Sequence, residues 1–176
     1  LACSILIQLL RAHVSRLLAS AELVGVFLFL FVTPMLIEVN PRFYDSYSHM
    51  GLVARTVYYG QFPLPFGLGG PNVTSNPYVS YPASFLFTAN LILLSNLGYF
   101  DVMRYFPILE VGLSTIALFE LSRAWNDSRV AYAAVLAYLA TNWFAEFHYS
   151  PQAFALPLFA GLILALYEDS RGARGI

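Results

Sequence analysis

The chain has 176 residues, of which 59% are hydrophobic and 11% charged, with a net charge of −1. A soluble domain carries roughly 25% charged residues, so the composition excludes an ordinary soluble domain and reads as a multi-span, all-α integral membrane bundle. Its cations are all arginine, with no lysine and no basic run, which leaves nucleic acid out as a partner.

The single cysteine, Cys3, rules out an intrachain disulfide. The chain opens at Leu1 rather than Met and closes on Arg171-Gly-Ala-Arg-Gly-Ile176, which reads as a fragment of a longer protein. A spanning helix needs about 20 mostly apolar residues, and residues 17–37 supply them, preceded by Arg11 and Arg16. That stretch is too long for a signal-peptide core and ends in no cleavage site. Residues 38–104 form one large outer segment. Within it, 43–60 reads as an amphipathic juxtamembrane helix ending at Gly60. Phe62-Pro-Leu-Pro-Phe-Gly-Leu-Gly-Gly-Pro71 is a loop, since proline and glycine at this density forbid regular structure. Asn72-Val-Thr74 fits a glycosylation sequon and carries no functional weight here.

Residues 83–97 are apolar but short for a crossing. Ser84, Thr88 and Ser95 fall within about 40° of one another on a helical wheel, a polar stripe that suits an interfacial helix. Further spans are expected at 105–122, 129–147 and 151–168, with Pro157 kinking the last. The arginines decide the topology, because cytoplasmic loops carry the excess of positive charge. With the N-terminus cytoplasmic and 83–97 not crossing, Arg11, Arg16, Arg123, Arg129, Arg171 and Arg174 lie inside, and Arg42, Arg55 and Arg104 outside. If 83–97 crosses, the excess inverts. The expected architecture is therefore a single transmembrane domain over 1–176, with four transmembrane helices plus interfacial helices in the first outer loop.

The chemistry gathers at the outer face. Phe43-Tyr44-Asp45-Ser46-Tyr47-Ser48-His49 follows the first span, and the four-residue spacing puts Asp45 and His49 on one helix face. Ionisable groups at such depth are costly and stand as functional hypotheses. Glu146-Phe-His148 lies in the outer loop between the third and fourth spans, on the same side as Asp45. Each of these has a plainer reading. Asp45 can cap the helix that follows it, His49 can sit on a polar face, and Glu146 and His148 can be solvated loop ends. The outer arginines can anchor to lipid headgroups, and the tyrosines can form an interfacial belt. Glu22 and Glu120 lie near cytoplasmic ends, where snorkelling is expected. Glu110 sits well inside a span and needs a partner.

Taken in order, these elements resemble the N-terminal part of an archaeal or bacterial multi-span glycosyltransferase of the C-type fold, the superfamily of protein mannosyltransferases, aminoarabinose transferases and oligosaccharyltransferases. The residues that carry the resemblance are the acidic phrase around Asp45, then Gly60-Gln-Phe-Pro63, then Tyr81-Pro82 leading into an apolar helix. After them come the basic turn Ser122–Arg129 and Glu146-Phe-His148 running into Tyr149-Ser-Pro-Gln152. Ser46 stands where the mannosyltransferase branch often has a second acid, and no cation accompanies Tyr81-Pro82.

The resemblance implies transfer of a sugar from a polyprenyl-phosphate-linked donor to an acceptor on the outer face of the cell membrane. Asp45 would be the catalytic base or a metal ligand, with His49 beside it. Glu146 and His148 would complete a divalent site for Mg²⁺, Mn²⁺ or Zn²⁺. Arg42, Arg55 and Arg104 would hold the donor phosphate, with Tyr47 and Tyr81 against the sugar. Two other classes stay open: a transporter or flippase, suggested by Glu110 and Pro157 within spans, and a non-catalytic membrane subunit.

Overall fold

A computed structural model describes residues 1–10, 15–38, 40, 44–62, 82–145 and 148–172. Among them all regular structure is helical: α1 (Ala2–Leu10), α2 (Arg16–Phe27), a π turn (Leu28–Val32), α3 (Thr33–Ile37), α4 (Tyr44–Tyr59), α5 (Ala83–Ser95), α6 (Tyr99–Trp125), α7 (Ser128–Ala145) and α8 (Pro151–Gly172). Among the described residues three stretches are long and apolar enough to cross a membrane: Leu17–Ile37, Tyr99–Trp125 and Pro151–Ser170. α7, expected as a fourth span, is not among them. It has 18 residues, and Ser128 and Arg129 at one end with Thr141 and Asn142 at the other shorten its apolar centre. The helices group into two compact units. One holds α1 to α3, most of α6, α7 and α8; the other holds α4, α5, the start of α6 and residues 148–151.

In the larger unit, Ala19, Leu23, Phe31, Val111, Tyr132, Val135 and Leu139 form the core. The α7 members recur at three- and four-residue spacing, so one stripe of that helix is buried. The turn before α7 is capped by Asp127, whose Oδ1 accepts from the backbone N–H groups of Arg129 and Val130, each at 2.9 Å. The π turn has a local cause. Pro34 has no N–H to give to the carbonyl four residues back, and the ladder widens just before it. The Thr33 backbone N–H and hydroxyl both donate to Leu28 O, five residues back. α8 runs through Pro157 without a break in its assigned helix.

α1 was not anticipated, and it alters the fate of an acid. Glu22 was expected to snorkel to water, yet it is 3% exposed. Its carboxylate accepts from the Ser4 hydroxyl of α1 and the Tyr132 hydroxyl of α7. Two hydroxyl donors offset the desolvation that would otherwise drive the acid to the surface. Glu120, by contrast, is half-exposed and pairs with Arg123 one turn on.

In the smaller unit, α4 and α5 pack against each other, with Met50, Val53, Phe85, Ala89 and Ile92 buried. α4 ends, as expected, at Gly60, which takes the left-handed conformation with φ 68°. This is the usual way to end a helix, and only glycine does it without a Cβ penalty. Gly60→Ala should therefore destabilise the protein by about 1 kcal/mol, read as a lower midpoint of thermal unfolding in detergent. An unchanged midpoint would mean that the turn does not constrain α4.

α5 overturns the reason given for its expected placement. Ser84 and Thr88 are buried, and the Ser95 hydroxyl turns back to Leu91 O. The outward face carries Leu86, Phe87, Leu93 and Leu94. Thr88 points inward because it has a partner there, the Tyr149 hydroxyl, while Ser95 is exposed. At 13 residues the helix is about 20 Å long, short of the ~30 Å hydrocarbon core.

Candidate functional site

The smaller unit brings together two parts of the chain that lie 100 residues apart. His49 projects from the buried face of α4 and is 3% exposed. Its Nδ1 lies 3.0 Å from the main-chain carbonyl of Tyr149. A carbonyl only accepts, so Nδ1 carries the proton, and in the neutral ring the lone pair sits on Nε2. Tyr149 is a hub. Its carbonyl receives His49, and its hydroxyl donates to Thr88 Oγ1 at 2.8 Å. Its ring also meets Phe106 edge-on, with centroids 6.1 Å apart. The segment 148–150 is thereby held against α4, α5 and the first turns of α6.

His148 is the neighbour that matters chemically. Its ring is stacked on His49, with centroids 6.3 Å apart and planes 15° from parallel. Phe85 closes another side of His49 at 5.9 Å. Asp45 lies one helical turn before His49, exposed and in the first turn of α4. α4 begins at Tyr44, so Asp45 lies inside the helix rather than at the position before it, which corrects the capping reading. Its negative charge there faces the positive end of the helix dipole. The result is an acid at the surface and two imidazoles behind it.

His49 is held below the ordinary histidine value of 6.5. Burial is the main cause, and the neighbouring His148 pushes the same way; the Tyr149 carbonyl and Asp45 work against both. The folded protein thus keeps His49 neutral where the unfolded chain would already take up a proton. Stability linked to this ring is full above pH 6.5 and falls as pH drops from 6.5 towards the folded-state value. Thermal unfolding in detergent should accordingly come at a lower temperature at pH 5.5 than at pH 7.5. His49→Gln should remove most of that difference; an undiminished difference would place the titration elsewhere.

The other expected site residues divide clearly. Tyr47 packs edge-on against Phe100, with centroids 6.2 Å apart, and so ties α4 to the start of α6. Arg55 comes six residues after His49, about 240° round the helix, so the two do not share a face. Arg104 lies over the ring of Tyr105 at 5.7 Å. Arg42, Tyr81 and Glu146 lie outside the described residues, so the acidic half of Glu146-Phe-His148 is not placed. Among the described residues, no group of three or more His, Cys, Asp or Glu side chains is arranged to hold a metal ion. Asp45, His49 and His148 are neighbours without forming a closed ligand set. Sequence reasoning passed over Tyr149 and Thr88 as site residues. Tyr149 acts partly through its main-chain carbonyl, which no side-chain pattern reveals; Thr88 was read only as part of an outward stripe.

Comparison of the chain with protein-family models, with curated proteins and with solved structures found no match.

Proposed function

We propose that the chain is the membrane part of a glycosyltransferase that moves a sugar from a polyprenyl-phosphate-linked donor to an acceptor at the membrane face. The observation that carries this reading is the meeting of His148 with His49, one turn from Asp45, beside helices whose outward faces are apolar. Such transfer needs a base on the acceptor, a cation against the departing phosphate and a greasy surface for the isoprenoid tail. Asp45, exposed at the start of α4, is the base. The acceptor O–H or N–H gives its proton to the carboxylate as the acceptor bonds to the anomeric carbon, and the sugar–phosphate bond breaks with its electrons on the phosphate.

His49, one turn from Asp45 and with its tautomer set by Tyr149, is the second residue of the catalytic pair. His148, with Glu146, is the pair to hold a divalent ion, which would supply positive charge to the leaving phosphate. Arg42, Arg55 and Arg104 would supply the further cations on this side of the membrane, and Tyr47 and Tyr81 the aromatics. We place this face outside and the N-terminus in the cytoplasm, following the arginine excess. α5 is too short to cross, which supports that count. α7 as a fourth crossing is supported by its stripe of buried residues in one core with Ala19, Leu23 and Phe31 of the first span.

The test is transfer of a radiolabelled sugar from a polyprenyl-phosphate donor, using membranes that contain the protein or its His148→Ala variant. Transfer that the variant loses supports the reading. Equal transfer by both, or none by either, removes it.

A second reading has an observation of its own. Glu110, on α6, is 3% exposed, and neither carboxyl oxygen makes a hydrogen bond among the described residues. Transporters place such acids in their spans. Substrate-driven flux in liposomes without sugar transfer would favour it.

A further inference from the structure

The larger unit holds an apolar groove of about 470 Å³ between α2 and α6, apart from the imidazole pair. Its floor is formed by Leu23, Phe27 and Gly112; its open side carries Val24, Leu28 and Ile116, all highly exposed. Phe27 approaches Gly112 closely, since a Cβ built on that glycine would stand 3.6 Å from its ring. At the other end Ser20 and Glu120 line the wall. The levels agree with antiparallel helices. Glu22 is bonded to Tyr132 near the start of α7, which places Ser20 beside the last turns of α6.

We propose that this groove binds one hydrocarbon chain of a zwitterionic phospholipid, with its ammonium on Glu120 and its phosphate on Arg123. Length and charge both point there. From Ser20 to Leu28 the groove runs about 12 Å along the helix, at about 1.5 Å per residue, room for part of one acyl chain. Its walls belong to two stretches apolar enough to lie in a membrane, so its open side faces acyl chains. Among the described residues that line it, Glu120 is the charged one, and its carboxylate is held to the Arg123 guanidinium by an i,i+3 ion pair. That pair matches a headgroup carrying both signs. An anionic headgroup would meet Glu120 unfavourably, and the C-terminal end of α6 also favours a cation. Thr115 adds no polarity to the wall, because its hydroxyl is spent on Val111 O.

The experiment is native mass spectrometry of the protein released from bilayers of equal parts phosphatidylethanolamine and phosphatidylglycerol, with polyprenyl phosphate as a competitor. The expected result is one retained phosphatidylethanolamine, favoured at least fivefold over phosphatidylglycerol. Gly112→Phe, which fills the slot, should retain none while keeping its helical circular dichroism. Should that variant fail to fold, Ile116→Trp closes the same slot from its exposed rim. Glu120→Gln should still hold a lipid but lose the fivefold preference. No retained lipid in the wild type, equal retention by a slot-filling variant, preference for phosphatidylglycerol, or displacement by polyprenyl phosphate would each overturn the proposal.

Discussion

Asp45→Asn should lower sugar transfer from a polyprenyl-phosphate donor by roughly 10²–10⁴-fold, the usual loss when a positioned general base is removed. The amide keeps the size and polarity of the side chain but cannot take a proton from the acceptor. Asp45 is exposed in the first turn of α4, so the substitution empties no cavity and should leave the melting temperature almost unchanged. His49→Gln behaves differently. It removes the ring that stacks on His148 and bonds Tyr149, so it should reduce both transfer and the pH dependence of stability. Asp45→Asn transferring sugar at the wild-type rate would take the carboxylate out of the chemistry.

The second large effect is on stability and separates two buried acids. Glu22→Leu leaves the hydroxyls of Ser4 and Tyr132 without their acceptor, and should cost about 1–2 kcal/mol, within the range for a charged hydrogen-bond partner and for interhelical bonds in membranes. Glu110→Leu should be neutral or gain about 1 kcal/mol, because a buried carboxyl without hydrogen bonds is replaced by a side chain of similar volume. Reversible unfolding in mixed micelles measures both. A cost at Glu110 as large as at Glu22 would show that the acid has a partner and would strengthen the transport reading.

Much of the helical plan was legible because membrane helices announce themselves by length. Residues 17–37, 83–97 and 151–168 became helices within a few residues of their expected ends, and Gly60 closed α4 because few other residues adopt its conformation. α6 starts at Tyr99, six residues before the expected span, and runs through Pro107. What failed was the direction of polar side chains. The reading of Ser84, Thr88 and Glu22 assumed that polar groups seek water. Thr88 and Glu22 turn inward because partners wait there, and those partners, Tyr149, Ser4 and Tyr132, lie far away in the chain; Ser84 is buried without a hydrogen bond among the described residues. α1 was missed because residues 2–10 are too few to signal a span. Of the site, the spacing of Asp45 and His49 was readable from one helix turn. The docking of Tyr149 was not, because it rests on a carbonyl and on tertiary packing.

The most direct measurement is solid-state NMR of the histidine-labelled protein in bilayers, with His13 replaced by Gln so that only two imidazoles remain. The account predicts a ring-to-ring cross-peak between His49 and His148, with His49 protonated on Nδ1 at pH 7.5. No cross-peak, or a His49 protonated only on Nε2, would contradict it.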